Sequence, residues 1–548
     1  MLYYNKTSKP FIISTSTIAL QEQLQKDIAT LNAIFKWNVP SIIAKGRTHY
    51  ICKKRVINSE LIKKLDEISS KIDRVNYDNF SDNDWNKINV NKCEFKKCKD
   101  YNSCYFIKLR EKIRSFQGAI ICNHDLLFEN QKRKYYDRRT MLPNVQFIVI
   151  DEAHNLEEKG RNSFKQDSTL KEALETINRA QSVLSRVSYY NTENIEVAQK
   201  TINKIFEILK TQVEEQVKEA IKENRIITQS DLEICKVFNT SELIKNSSTF
   251  YSAIQNINIE IQSIDDDSSE DIDNLISDLE KLEDIFKELK KEESNNIFWI
   301  DNKRRIVLNT CSKHVNEQIK EVLFDDNDSI KILTSATLNT SNKNETVYEY
   351  FAKNVGLDIN QKLFLSDPKM SPFDYDNHMI CYCCKDITAP NGDHNNYIRD
   401  IAGKIIELLN MTKGKTLLLF TSKVDMKLVY DNLKEKNLQY DILIQKDGAS
   451  QNSTKERFKD NVNSVLLSTG SFWEGIDIKG KSLSNVIIVR LPFPIPDPII
   501  EYKCSIVDKK EKVLVPEMKI KLKQGIGRLI RGKDDRGIVS ILDSRIQI

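Results

Sequence analysis

With 548 residues, the chain is longer than one ordinary hydrophobic core organises, and about three or four domains are expected. Lys and Arg total 83 against 79 Asp and Glu, which excludes a global basic field; any nucleic-acid surface must be local. Hydrophobic residues make up 40% and charged residues 30%, no apolar run reaches the length of a membrane span, and the N-terminus is not a signal peptide, so a soluble, cytoplasmic protein is expected and a membrane partner is not. Eleven cysteines in such a chain point to a reduced compartment, where clustered thiols are metal ligands before they are disulfides.

The first element is a short strand, Phe11-Ile12-Ile13-Ser14-Thr15, followed by Ser16 or Thr17 as the cap of a helix running through Ile18 to Leu24. A strand, small hydroxyl residues and a helix N-terminus form a turn suited to phosphate contact. Lys45-Gly46-Arg47 then leads to Cys52. After a lysine-rich stretch, Cys93, Cys98 and Cys104 follow at C-x4-C-x5-C spacing. Four thiolates are the number needed for an iron–sulfur cluster or a structural zinc, and spacing looser than the C-x2-C of zinc ribbons favours iron–sulfur. A second strand, from Ala119, ends in Asn123-His124, with Cys122 in its apolar part.

The run from Val145 to Ile150 reads as a buried strand, and it ends in Asp151-Glu152-Ala153-His154. In an open parallel α/β sheet, ligands sit at the carboxyl ends of strands. Asp then Glu at that position is the Walker B arrangement, the Asp holding Mg²⁺ through its water shell and the Glu polarising the water that attacks a γ-phosphate.

From about 165 to 295 the pattern becomes helical, rich in Glu, Lys, Ile and Leu, with an acidic connection at 263–273; it reads as a helical insertion without a catalytic constellation. The β pattern resumes near Phe298. A strand from Ile330 ends in Thr334-Ser335-Ala336-Thr337, and a strand from Thr416 ends in Thr421-Ser422. Cys381, Cys383 and Cys384 lie in a strand-like run that cannot easily direct three thiolates at one metal, so core packing is expected of them. Val465 to Asp477 contains Phe472-Trp473-Glu474-Gly475-Ile476-Asp477, and the buried strand Asn485 to Leu491 closes in Pro492-Phe493. Gln524 to Arg531 falls on a helix, with Arg528 and Arg531 three apart on one face, a spacing suited to an arginine finger.

No strand–G-x-x-x-x-G-K-[ST]–helix precedes Asp151. The literal match Gly475 to Ser482 runs into a β-rich strand, not a helix, and Lys413-Gly414-Lys415-Thr416 lacks the first glycine. The lysine that would bind β- and γ-phosphates is therefore expected to be missing.

Taken in order, these elements resemble the DinG/XPD family of iron–sulfur superfamily 2 DNA helicases, closest to its bacterial DinG branch. The elements that match are Ser14 to Thr17 with Leu20 to Leu24, Lys45-Gly46-Arg47 with the four cysteines, Asn123-His124, Asp151 to His154, Thr334 to Leu338, Phe472 to Asp477 with Leu491-Pro492-Phe493, and Gln524 to Arg531. The resemblance implies an α/β chain with two RecA-like domains of the P-loop NTPase type: a first, incomplete, from 1–45, 110–165 and 297–368; an iron–sulfur domain at 46–109; a helical arch at 166–296; and a second RecA-like domain at 369–548. It implies ATP, Mg²⁺ and a 4Fe-4S cluster on Cys52, Cys93, Cys98 and Cys104. Asp151, Glu152, His154, Gln524, Arg528 and Arg531 would be catalytic, with Gly475 and Asp477 also at the nucleotide. Ser335, Ala336 and Thr337 would couple hydrolysis to movement, and Ser14, Thr15, Thr17, Arg47, Thr421, Ser422 and Trp473 would contact nucleic acid. The expected activity is 5′–3′ ATP-dependent unwinding on single-stranded and forked DNA, by a monomer, in repair or replication. Both ends look cut relative to the family, which suggests a fragment, a split gene or a late-start reading frame. The alternatives are a DNA-binding remnant that does not hydrolyse ATP, and a zinc-dependent nucleic-acid-binding protein.

Overall fold

A computed structural model describes the chain apart from residues 58–72, 75–79, 94–97, 187–191, 223–231, 265–269, 304, 339–347, 360–362, 370, 391, 446–450, 471–472, 474–482 and 547–548. The described residues fall into two units, 1–159 with 320–494 and 514–548, and 160–319 with 495–513.

The first unit contains two parallel sheets; strands are numbered along the chain. The first sheet contains β1 (Phe11–Thr15), β2 (Ser41–Ile43), β3 (Ala119–Asn123), β4 (Phe147–Ile150) and β9 (Ile330–Leu333), in the order β2-β3-β1-β4-β9, every neighbouring pair parallel. Strands buried on both faces need continuous apolar sequence, and Ala119 to Cys122 in β3 are fully buried. β9 is an edge strand with a different character: Ile330 and Ile332 are 53% and 46% exposed, and Lys331 between them is tied to Asp326.

The second sheet contains β10 (Met379–Cys384), β11 (Thr416–Phe420), β12 (Ile442–Ile444), β13 (Val465–Thr469), β14 (Asn485–Ile488) and β15 (Gly537–Leu542), in the order β10-β15-β14-β11-β13-β12 and again all parallel. Side chains alternate across a strand, so Leu418 and Phe420 enter the core on one face and Leu417 and Leu419 that on the other. Helices His394–Thr412 and Lys423–Glu435 supply Ile401, Ile405, Val429 and Leu433 to the first of these cores.

The cysteine-rich segment belongs to this unit. Its small apolar cluster holds Ile51, Val56, Phe80, Trp85 and Ile88. Lys45, almost wholly buried, reaches Asp73 at 2.6 Å and Glu22 at 3.3 Å.

The second unit is built on helices Leu170–Leu184, Thr192–Lys222, Ser241–Gln262 and Glu270–Leu289. Their apolar stripes converge on Ile177, Ile205, Ile254 and Phe286, with the Phe250 and Phe286 rings edge to face at 4.5 Å. A capping box, Thr169 with Glu172, starts the first of them. The same unit carries an antiparallel sheet of β5 (Gln166–Ser168), β6 (Ile234–Lys236), β7 (Asn296–Asp301) and β8 (Val307–Ser312), in the order β5-β8-β7-β6. This differs from the sequence expectation, which set the insertion to end at 296 and assigned 297–368 to the first RecA-like domain, whereas 297–319 falls in the second unit. The hairpin β7–β8 stays with the helices because Ile300 and Leu308 are buried in the helical core.

Candidate functional site

Parallel pairing brings the carboxyl ends of β1, β4 and β9 to one rim. Backbone bonds extend that rim past the strands: Asp151 N donates to Ser14 O at 2.8 Å, Thr334 N to Ile150 O at 2.9 Å, and Ala153 N to Thr334 O at 3.0 Å. The acidic pair is therefore fixed from both sides. Between these bonds Glu152 has φ +50°, a left-handed conformation that a side chain with a Cβ adopts at a cost of about 1–2 kcal/mol.

The side chains form one connected set. Thr15 Oγ1 donates to Asp151 Oδ2 at 3.2 Å. Burial and the neighbouring Glu152 charge raise the Asp151 pKa, and its Thr15 and Glu152 backbone donors do not offset them. A carboxylate in this position is stabilised by a cation, which fits Mg²⁺. Burial works against the Glu152 charge as well, but His154, Arg528 and the Ser335 hydroxyl outweigh it and lower its pKa, so Glu152 is ionised and able to accept a proton. His154 Nδ1 lies 2.8 Å from Ser335 Oγ and 3.3 Å from Glu152 Oε2, and Ser335 Oγ donates to Glu152 Oε2 at 3.3 Å. On its other side His154 Nε2 is bonded to Gln524 Nε2, so the imidazole joins β4 to the helix Glu511–Ile526, some 370 residues away in sequence.

That helix is seated by a close approach. A Cβ on Gly525 would lie 2.9 Å from the Trp473 ring, so only glycine fits there. Just beyond it, Arg528 is buried and its Nε donates to Trp473 O at 2.9 Å. Arg531 Nε and Gln524 Oε1 are buried and make no hydrogen bond, leaving a donor and an acceptor for a ligand. A cleft of about 610 Å³ opens among Ser16, Glu152, His154, Gln524, Arg528 and Arg531. It also takes in Lys369, Phe373 and Tyr375, which no sequence signal had marked.

Of the residues expected at the nucleotide, Glu152, His154, Gln524, Arg528 and Arg531 converge on this cleft, and Asp151 lies beside Thr15 on the same rim. Gly475 and Asp477 lie outside the described residues. Of the expected coupling residues, Ser335 bridges His154 and Glu152, Thr337 is buried with its N–H on Ser335 Oγ at 3.2 Å, and Ala336 lines the cleft.

The expected nucleic-acid contacts fare less evenly. Ser14 is fully buried, its Oγ 2.7 Å from His124 Nδ1, and Thr15 serves Asp151. Thr17 caps the helix Ile18–Phe35 by accepting from Leu20 N, and Ser422 caps Lys423–Glu435 by accepting from Asp425 N. Thr421 Oγ1 is buried without a hydrogen bond. Trp473 is a core residue whose indole donates to Phe420 O at 3.1 Å, so it presents no ring for base stacking. Arg47 is exposed. Sequence reasoning also missed the part played by His124, although its position directly after β3 was the signal. Burial holds this imidazole neutral, its pKa pushed down to about 4, under the backbone of the acidic turn.

Cys52, Cys93 and Cys104 pack around one cluster of Tyr50, Val90 and Phe106, and Cys98 O accepts from Tyr101 N three residues before Cys104. Four half-buried thiols in one small segment are a donor set that suits an iron–sulfur cluster or zinc. Among the described residues, no three His, Cys, Asp or Glu side chains are already close enough to hold a metal ion. The expected core role of the later cysteines holds for Cys384, which is buried, and fails for Cys381, which is exposed because β10 is an edge strand. Among the described residues, no helix is long and apolar enough to cross a membrane.

Comparison with known proteins gives three findings. A family model described as a helicase C-terminal domain matches residues 405–548. The chain is 25% identical to the ATP-dependent DNA helicase YoaA of Haemophilus influenzae over 98% of its own length and 84% of that protein, and 27% identical to the ATP-dependent DNA helicase DinG of Photobacterium profundum over 98% and 86%. In fold it is similar to S. tokodaii Xpd4, with a TM-score of 0.54 at 14% identity, covering 99% of this chain and 88% of the other. The two parallel sheets are accordingly RecA-like.

Proposed function

We propose, from its similarity to DinG- and YoaA-type helicases, that the chain is an ATP-dependent DNA helicase of superfamily 2 whose hydrolytic site is the cleft at the rim of β4 and β9. One observation carries the reading: Glu152, Ser335, His154 and Gln524 form an unbroken chain of polar contacts from the Asp-Glu turn to the helix that delivers Arg528 and Arg531.

In this reading Asp151 would hold Mg²⁺, which would supply positive charge to offset that of the phosphates. Glu152, ionised and aimed by the left-handed turn, takes the proton of the attacking water. Arg531, with its unbonded buried Nε, and Arg528 stabilise charge on the γ-phosphate. His154 reports the state of Glu152 to Gln524, and Ser335 ties the same imidazole to the end of β9. These contacts support coupling between hydrolysis and displacement of the second RecA-like domain. We assign the finer properties on the family resemblance: 5′–3′ translocation on single-stranded DNA, unwinding of forked duplexes, a role in repair or replication, and a monomeric, cytoplasmic protein. Segment 46–109 would carry a 4Fe-4S cluster on Cys52, Cys93, Cys98 and Cys104. Replacing Cys104 by Ser should then lower the iron content of protein purified without oxygen, and zinc at unchanged stoichiometry would refute the assignment.

A second reading, a DNA-binding protein that does not turn over ATP, is favoured by one feature. The literal G-x-x-x-x-G-K-[ST] match, Gly475 to Ser482, lies outside the described residues, and the element that follows it is the strand Asn485–Ile488, not the helix a phosphate loop leads into. The deciding experiment is ATP hydrolysis with and without single-stranded DNA, in the native chain and in Glu152→Gln. Turnover that DNA stimulates and the substitution abolishes supports the first reading. DNA binding without turnover supports the second.

A further inference from the structure

Strand β10 lies at the edge of the second sheet, paired on one side with β15, Cys381 opposite Val539 and Cys383 opposite Ile541. Side chains two apart on a strand share a face. Cys381 and Cys383 therefore stand side by side, with Sγ atoms 3.9 Å apart, while Cys384 points the other way into the core. Cys381 is exposed and Cys383 half-buried, so the pair is reachable from solvent. Neither belongs to the cleft or to the N-terminal cysteine set.

The separation distinguishes two chemistries. A disulfide requires the sulfurs at about 2.05 Å, with Cα atoms no further apart than about 6.8 Å. Residues two apart on an extended strand already stand at about 6.6 Å, near that limit, and the ladder to β15 holds them there. Two thiolates bonded to one tetrahedral centre at about 2.3 Å each are separated by about 3.8 Å. The observed spacing matches a bridging atom and would have to shrink by nearly half for an S–S bond.

We propose that Cys381 and Cys383 form a two-thiolate clamp for a soft, thiophilic metal ion or metalloid, such as a d10 cation or trivalent arsenic. The strand supplies the pre-organisation: both Cβ positions are fixed by the β10–β15 ladder, so binding orders only two short side chains. The open edge leaves the remaining coordination positions to water or to an external thiol. Burial, and then the neighbouring Cys383, push the Cys381 thiol up to about 11, so a ligand must displace a proton from it; a bound cation removes the like-charge repulsion that contributes to that shift. With a monosubstituted arsenoxide the step is RAs=O + 2 R′SH → RAs(SR′)₂ + H₂O. Two As–S bonds form, the As=O bond breaks, and its oxygen leaves as water with the two thiol protons. No atom changes oxidation state.

The test is phenylarsine oxide added to the folded, full-length protein, followed by proteolysis and mass spectrometry of the peptide that spans 379–385. The expected result is one arsenical on that peptide, mapped to Cys381 and Cys383. It should fall from one to zero equivalents there in Cys381→Ser and in Cys383→Ser, and persist in Cys384→Ala. Peptide mapping keeps adducts on Cys52, Cys93, Cys98 or Cys104 separate. An adduct that survives Cys381→Ser but needs Cys384, or one that forms only after denaturation, overturns the proposal. Because Cys381 is exposed, its serine variant should keep the native unfolding midpoint, so loss of the adduct there reads as loss of a ligand.

Discussion

His124 should make the first RecA-like domain sensitive to acid well above the carboxylate range. The imidazole is fully buried, 2.7 Å from Ser14 Oγ, and its Nε2 has no hydrogen bond. Burial, with Lys159 and His154 nearby, lowers its pKa from 6.5 to about 4 in the folded state. The unfolded chain therefore binds more protons between those values, and stability rises with pH across that window. The contribution is complete above the unfolded value and is lost as pH falls through the folded one. A gap of about 2.5 units corresponds to roughly 3 kcal/mol in total, of which about 2 kcal/mol is gone by pH 5. The assay is urea unfolding from pH 7.5 to 5, followed by hydrogen–deuterium exchange in peptides covering β1 and β3, for the native protein and for His124→Gln, which keeps a polar partner for Ser14 and does not titrate. The native domain should lose about 2 kcal/mol more than the variant over this range. Equal losses would refute the reasoning.

Three further outcomes follow from the geometry. Trp473→Ala should destabilise the second RecA-like domain by about 3–5 kcal/mol, read as a lowered melting midpoint, while the DNA affinity of the folded fraction is unchanged because the indole faces inward. Gln524→Ala removes the link to His154; it should reduce DNA-stimulated ATP turnover by about tenfold or more and shift stability by less than about 1 kcal/mol, measured by steady-state kinetics and denaturant titration. Asp543 is fully buried and accepts from Leu491 N at 2.8 Å, Arg545 N at 2.9 Å and the Arg545 guanidinium at 2.7 and 2.9 Å. Burial opposes its charge, but these bonds prevail and hold its pKa below the usual value, so its contribution is lost only as pH falls through that lowered value. Asp543→Asn should cost about 1–3 kcal/mol at pH 7 and remove that acid limb, both visible in urea midpoints.

The parts of this architecture that sequence made legible are those with a local cause. An apolar run that stops at two carboxylates is a buried strand reaching the rim of a parallel sheet, and Asp151 and Glu152 are where that logic puts them. Arg528 and Arg531 share a cleft, but not as two positions on one helical face: the helix expected to carry them ends at Ile526. The misreadings are matters of partner choice across long separations. A hydroxyl at a strand end serves equally for a phosphate, a helix cap or a buried imidazole, and only the fold brings His124 against Ser14 and Asp151 against Thr15. The resemblance implied a nucleic-acid contact for Trp473, whereas Gly525 on a distant helix leaves the space its ring occupies. The β7–β8 hairpin was assigned to the wrong unit because its alternating pattern does not say which core its inner face will meet. Cys381 and Cys384 are three apart in sequence, and strand geometry sends them to opposite faces.

The open flank of β9 bears on what can be joined to this sheet. Among the described strands β9 pairs with β4 alone, and its outward isoleucines carry neither a proline nor an unpaired charge to discourage a newcomer. The sheet is parallel throughout, so an incoming strand that continues its polarity would run alongside Ile330 to Leu333 and emerge beside Thr334. Whatever residues followed it would then be delivered to the same shore as Asp151 and Glu152. The rim is in that sense modular: a strand added beside β9 would bring further chemical groups to it while leaving the β4–β9 hydrogen bonds in place.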